Sequence, residues 1–235
     1  MDFSKFCNKY MINGTLKMDS IHIGSGKPEG EADAPTIRYN NGMAYIPGSS
    51  FRGHLRSKLE GITELGLTIS GREIDELDIM GIFGYTNLSK EDQERLDKRI
   101  GVKSSSMAGK IHIADLKIIE NKKDKMRDGI AIDRNTGTTK NGAKFDYSVL
   151  EDVKFNLEIS LENLEDYELD LINIGLNMIK NDLFGGKTSR GIGKSELIID
   201  KVKYVENKDE LKDYLFKGIM KEGTQEILNK NKITL

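Results

Sequence analysis

The stretch FGGKTSRGIGKSEL (184–197) lies between a run with helical periodicity, LDLINIGLNMIKNDL (169–183), and a run that alternates, SELIIDKVKYV (195–205). Four glycines, three basic residues and two hydroxyls fall between Phe184 and Lys194. That is the composition of a phosphate cradle, and the order of the flanking elements decides what kind it can be. Mononucleotide and dinucleotide loops run from a strand into a helix, so that the helix N-terminus meets the phosphate. Here the order is helix, loop, strand. The letters fail as well. GxxxxGK[ST] requires glycine at 188, where Thr188 stands. GxGxxG begun at Gly191 meets Glu196, and begun at Gly24 it meets Glu29. Two readings remain. One is a loop that curls around an anion, its glycines accepting positive φ, its N–H groups forming a nest, and Lys187, Arg190 and Lys194 adding charge. The other is a glycine turn with solvated charges.

Working outward, residues 8–18 read as a first strand, and Asn40-Asn41-Gly42 between APTIRY and MAYI is a hairpin signal. Pro47-Gly48 breaks the chain, and Ser49 or Ser50 is expected to cap a helix. Phe51, Leu55 and Leu59 give that helix one buried stripe, while Arg52 and Arg56 share another face. An acid-rich helical region at 72–100 reads as an insertion. Two strands follow, 108–119 and 153–162, joined by a Lys-, Gly- and Asn-rich loop long enough to be functional or disordered. The helix at 169–183, the strand at 195–205 and a C-terminal helix near 208–221 complete the chain. The order strand, helix, strand, strand, helix, strand is that of the α+β, ferredoxin-like (RRM-like) βαββαβ unit. No linker divides the 235 residues, so a single domain, 1–235, is expected.

Thirty-seven percent apolar and 31 percent charged residues fit a globular protein, and no run approaches the ~20 apolar residues of a membrane span. The N-terminal MDFSKFCNKYMING has no signal-peptide pattern, so a cytoplasmic protein without membrane contact is expected. One cysteine, Cys7, excludes an internal disulfide and a cysteine-rich zinc site. The histidines His22, His54 and His112 show no metal-ligand spacing. Net charge is −2, but basic residues cluster: seven Lys/Arg against four acids in 121–146, and four with no acid between Arg38 and Lys58. Basic loops on an acidic body suit a protein that meets nucleic acid on selected surfaces. No aromatic cluster matches the RRM stacking signatures.

Four segments together resemble the RAMP superfamily of CRISPR-associated proteins, in particular the repeated backbone subunit of Csm-type, type III effector complexes. They are IHIGSG (21–26), DAPTIRYNNGMAYIPGSSFRGHLRS (33–57), RDGIAIDRNTGTTKNGAKFDYSVL (127–150) and FGGKTSRGIGK (184–194). The resemblance implies a ferredoxin-like palm with an inserted finger region at about 66–106 and a thumb hairpin at about 122–148. It implies copies of the chain stacked along a CRISPR RNA with other type III subunits, and cleavage of single-stranded target RNA at regular intervals near each thumb, with a divalent cation, Mg²⁺ or Mn²⁺.

Asp33 matches the position of the cleavage carboxylate, where it would hold the metal or help activate the attacking 2′-hydroxyl. Glu29 and Glu31 are weaker candidates as metal ligands, and His22 is a second, weaker catalytic candidate. The implied RNA contacts are Ser49, Ser50, Arg52 and Arg56; Arg134 and Lys144 in the thumb; and Gly185, Gly186, Lys187, Thr188, Ser189 and Arg190 in the glycine loop. Two alternatives stand beside this. The scaffold could bind guide RNA without cutting, or it could be a stand-alone, metal-independent processing endoribonuclease using His22 or His54.

Overall fold

A computed structural model describes residues 6–24, 33–101 and 105–234. In chain order it contains β1 (Lys9–Ile21), β2 (Tyr45–Ile46), α1 (Gly48–Glu60), β3 (Thr68–Ile69), β4 (Arg72–Glu73), α2 (Glu76–Phe83), α3 (Lys90–Ile100) and β5 (Ile111–Ile113). There follow β6 (Leu116–Ile132), β7 (Thr139–Glu162), α4 (Asp166–Ile179), β8 (Ser195–Val205), α5 (Lys208–Lys217), β9 (Lys221–Gly223) and β10 (Ile233–Thr234).

The main sheet is antiparallel with order β2-β6-β7-β1-β8-β9, and β5 pairs with β7. The fold is thus mixed α+β around one large antiparallel sheet. In β1, Tyr10, Ile12, Leu16 and Met18 alternate into the core, as period 2 requires. Gly14 is buried in the same series but carries no side chain, since a Cβ there would lie 2.5 Å from the Ile198 carbonyl, at the point where the β1–β8 register shifts. Phe51, Leu55 and Leu59 of α1 are all fully buried. They meet α4 at Gly175, where a Cβ would stand 2.6 Å from Leu55 Cδ1.

The start of α1 differs from the expected serine cap. Pro47 occupies the cap position, no side chain caps the helix, and Ser49 and Ser50 are exposed in its first turn. The reason is tertiary: the Gly48 N–H donates to Asp115 Oδ1 at 2.9 Å, which satisfies one of the orphan donors a local serine would otherwise meet. The acidic region at 72–100 also divides into two unlike parts. Asp75 and Asp78 form a capping box on α2, whose Ile79, Ile82 and Phe83 enter the main core. In α3 the acids do lie mostly on the surface. A small sheet of β10-β3-β4 brings the C-terminus back beside this region.

The Lys-rich segment expected as a long loop is strand almost throughout. β6 and β7 pair from Ile118↔Phe155 out to Ile132↔Thr139, and beyond Leu150, where the pairing with β1 ends, they continue as a ribbon. Its turn is closed by Asp133, whose Oδ1 accepts from Asn135 N at 2.8 Å, and by Gly137 at φ 69°. Along β6 from Lys123 to Ile132 only Gly129 is buried, so that strand carries no apolar alternation and reads as loop; on β7 Tyr147 and Val149 are buried at the ribbon's base. Cross-strand ion pairs hold the ribbon as well: Lys125 and Arg127 with Glu151 at 2.7 and 2.9 Å, and Lys144 with Asp128 at 3.2 Å.

Candidate functional site

The glycine loop is closed on the end of β1. Gly193 N donates to Ser20 O at 2.9 Å, Gly186 N to His22 O at 2.9 Å, and Phe184 N to Gly193 O at 2.8 Å. Phe184 packs beneath α1, its ring 5.9 Å from Phe51 and 5.0 Å from His54. Gly185, Lys187, Gly191 and Gly193 all have positive φ, and Thr188–Arg190 forms a 3-10 turn between them. At Gly193 a Cβ would meet the Phe184 carbonyl at 2.4 Å, so glycine at 193 is required for closure.

Lys187 and Arg190 project from this turn onto β7. Lys187 Nζ lies 5.0 Å from the Phe145 centroid and 4.9 Å from that of Tyr147. Arg190 Cζ lies 4.8 and 5.8 Å from the same rings. The loop therefore meets the base of the β6–β7 ribbon. Lys194 does not join them; it lines a separate cavity with Lys17, Asp19 and Glu196.

Asp33 sits on the other edge of that base. Its Oδ2 accepts from Asp146 N at 3.0 Å, and Ala34 extends β7 by a parallel bridge at Tyr147. The Asp146 carboxyl stands across the ladder from Asp128. Its pKa is raised by the hydrogen bond with Asp128, then by burial and by the Asp128 charge; the Asp33 charge adds to this. Asp128 is held low by that bond and by Lys144. Asp146 Oδ1 is buried without a partner.

His22 is nearly fully buried, with its ring edge-on to Tyr147 at 5.7 Å. Its Nδ1 lies 2.8 Å from Ser148 O. A carbonyl can only accept, so Nδ1 carries a proton and the Nε2 edge is the one left facing the cavity. That edge lies between Gly24 and Gly186, where added Cβ atoms would stand 3.5 Å from Nε2 and 3.0 Å from Cδ2. The cavity here, about 450 Å³, is also lined by Ser50, His54 and Thr188.

The arginine pair falls elsewhere. Arg52 donates to the Phe83 carbonyl and lies over the Phe83 ring, while Arg56 pairs with Glu60 at 2.7 Å. Both face the end of α2, on the opposite flank of α1 from the glycine loop. The flank that meets the loop carries Ser50, His54 and Lys58. Asp182 accepts from His54 Nε2 at 2.9 Å and from Lys58 at 2.7 Å. The i, i+4 spacing of Ser50, His54 and Lys58 is visible in the sequence, as is the i, i+2 pair Phe145 and Tyr147. Nothing local says what either meets. Arg134 lies in the ribbon's turn, and Lys144 is paired with Asp128.

A family model described as the RAMP superfamily matches residues 17–196. The chain belongs to the RAMP superfamily. It is similar to the CRISPR system Cms endoribonuclease Csm3 of Enterococcus italicus, 28% identical over 207 residues, 83% of this chain and 92% of that protein. It is also similar to the protein of that name from Methanocaldococcus jannaschii, 30% identical over 200 residues, 79% of this chain and 77% of that one. Every candidate site residue of this RAMP protein lies inside the matched span. No helix among the described residues is long and apolar enough to cross a membrane.

The fit of a divalent cation can be tested on the donor set. Among the described residues no group of three or more His, Cys, Asp or Glu side chains could cage a metal. Glu29 and Glu31 lie outside the described residues. Asp33 is exposed, with Oδ2 held by a backbone N–H. One such carboxylate fits Mg²⁺ or Mn²⁺ that keeps most of its waters, and does not fit a dedicated all-protein cage.

Proposed function

We propose that this RAMP protein is a guide-RNA-binding backbone subunit of a type III CRISPR complex, and that it cleaves bound single-stranded target RNA beside Asp33 at regular intervals. The observation that carries this is the anchoring of Asp33 to the base of the β6–β7 ribbon, on the strand segment that also meets Lys187 and Arg190. The names of the two similar proteins support the RNA-cleaving activity. The strand order β6-β7-β1-β8, with α1 packed on α4, supports a ferredoxin-like palm. The region from about 66 to 106 is then the fingers and the ribbon the thumb. Copies of the chain would stack along the guide with other type III subunits.

In this reading the glycine loop and the first turn of α1, with Ser49 and Ser50, hold guide phosphates. The ribbon separates guide from target. A target nucleotide splayed beside it presents its 2′-hydroxyl in line with the adjacent phosphorus. The hydroxyl gives up its proton to Asp33 or to water as its oxygen forms the new P–O bond; the P–O5′ bond breaks, the 5′-oxygen takes a proton from water and leaves as a hydroxyl, and a 2′,3′-cyclic phosphate results. Asp146 N–H fixes one Asp33 oxygen, which leaves the other turned to solvent or to the hydroxyl proton. Positioned acid–base help of this kind contributes roughly 10²–10⁴-fold. Mg²⁺ or Mn²⁺ held by Asp33 through its waters would supply charge neutralisation at the phosphate.

The test is Asp33→Ala in the assembled complex with labelled target RNA and Mg²⁺. The expected result is target binding retained and cleavage reduced by about 10²-fold or more. Unchanged cleavage overturns the assignment. Loss of target binding as well makes Asp33 structural and leaves a binding scaffold. Cleavage abolished by EDTA and restored by Mn²⁺ tests the cation. One observation favours a second reading: His22 and His54 line the same cavity. Cleavage of repeat RNA by the isolated protein in EDTA would support metal-free processing there.

A further inference from the structure

The glycine loop's two outward cations do not stand alone. Lys187 Nζ and Arg190 Cζ lie 5.0 and 4.8 Å from the centroid of the same ring, Phe145, and both also cap Tyr147. The ring they share is itself fixed from across the ribbon. Gly129 is the register partner of Phe145, and a Cβ at 129 would lie 2.3 to 2.8 Å from three ring carbons. The ring occupies the space a side chain at 129 would take, so any Cβ there must displace the ring. Tyr147, buried behind Phe145, packs with Val149 and Ile192 and completes the wall.

A cation over a ring face turns its remaining N–H groups away from that face. An ammonium or guanidinium held so keeps its donors free for phosphate while losing the rotamer freedom that a long side chain gives up on binding. The rings sit on the ribbon and the cations on the loop, so the ribbon's base fixes the shape of the loop's charged edge.

We infer that Phe145 and Tyr147 are positioning residues for RNA binding, holding Lys187 and Arg190 in the arrangement that meets the phosphates, with Gly129 as the seat of the Phe145 ring. This rests on the proposed role of the glycine loop in gripping RNA. It adds that the grip is built by the ribbon as well as by the loop.

The test is a double-mutant cycle on the full chain, titrating labelled single-stranded RNA of mixed sequence at several salt concentrations. Lys187→Ala with Arg190→Ala should weaken binding and lower the salt slope, by about 0.7 for each phosphate no longer neutralised. Phe145→Leu should weaken binding about three- to tenfold with the slope unchanged, because both charges remain. Gly129→Ala, which keeps every charge and ring but displaces Phe145, should do the same. Phe145→Tyr should retain wild-type affinity. In the background lacking both cations, Phe145→Leu should add nothing further. An equal loss with and without the cations makes Phe145 merely structural and overturns the inference alone. Tighter or unchanged binding by Phe145→Leu also overturns it. Unchanged affinity and slope for the Lys187→Ala, Arg190→Ala protein overturns the inference together with the proposed role of the loop.

Discussion

The Asp33 carboxylate is held by the backbone of Asp146: Oδ2 accepts from that N–H at 3.0 Å, while Asp146 O accepts from Ala34 N at 3.1 Å. The candidate reacting group and the ribbon are thereby joined at one residue. Charge and anchoring can be separated by substitution. Asp33→Asn keeps an oxygen for the Asp146 N–H and removes the negative charge; Asp33→Ala removes both. Both should lose about 10²-fold or more in target cleavage. Only Asp33→Ala should speed amide exchange at Asp146 and its neighbours in β7. Equal exchange in the two variants would show that the bond does not hold the ribbon's base.

A second anchor ties the segment after α3 to α4. Lys110 Nζ lies 2.7 Å from both oxygens of Glu168, and both residues are buried. Glu168 also accepts from Glu165 N at 2.8 Å, closing the cap of α4, while Lys110 N donates to Ile82 O at 2.8 Å. Removing one member of such a pair leaves a buried charge unmatched. Lys110→Met should therefore cost about 3 to 5 kcal/mol in chemical denaturation. Lys110→Met with Glu168→Gln should recover a large part of that. A single variant as stable as wild type would mean that water reaches the carboxylate.

His54 lowers the protein's tolerance of acid. Its pKa lies below the ordinary 6.5 chiefly because of burial; the hydrogen bond and charge of Asp182 oppose this, and Lys58 assists it. A depressed folded-state pKa means that the unfolded chain binds the proton more readily. The contribution is present above 6.5 and is lost as pH falls through the folded value. Asp182 is also held low, by Lys58 and His54 against its own burial, but it acts only below its ordinary 3.8. His54→Gln should therefore lose less melting temperature than wild type between about pH 8 and pH 5. Parallel curves for the two proteins would contradict it.

Much of the main sheet and its helices is legible locally because these elements have one wet and one dry face. The stripe Phe51, Leu55, Leu59 and the alternation in 195–205 mark α1 and β8 correctly. The ribbon is less legible in this way, since β6 from Lys123 to Ile132 buries nothing but Gly129, and only β7, with Tyr147 and Val149, has a dry face at the ribbon's base. The site divides similarly. Arg52 and Arg56 do share a helical face, but the spacing cannot say that this face meets Phe83 and Gly84 and not the glycine loop. The Phe145–Lys187 contact joins residues from separate elements, so no window of sequence contains it. Asp33, exposed in a polar loop, stands out only through resemblance to a family.

The glycine loop offers a contrast that tests its closure. Gly191 and Gly193 both have positive φ, 74° and 101°. A Cβ at 191 would meet nothing within 4 Å, whereas at 193 it would lie 2.4 Å from the Phe184 carbonyl and 3.0 Å from Thr188 Cγ2. Gly191→Ala thus carries only the left-handed penalty, about 1–2 kcal/mol. Gly193→Ala carries that penalty and must also push aside the Phe184 carbonyl, in the same residue whose N–H donates to Gly193 O at 2.8 Å. Its cost should be about 3 kcal/mol or more. If the loop is a closed unit, part of that cost appears as opening of the loop before the main sheet unfolds. Gly193→Ala should then weaken RNA binding at temperatures where its circular dichroism is still native, and Gly191→Ala should not. Equal RNA affinity in the two variants would mean that the loop binds without its closed geometry.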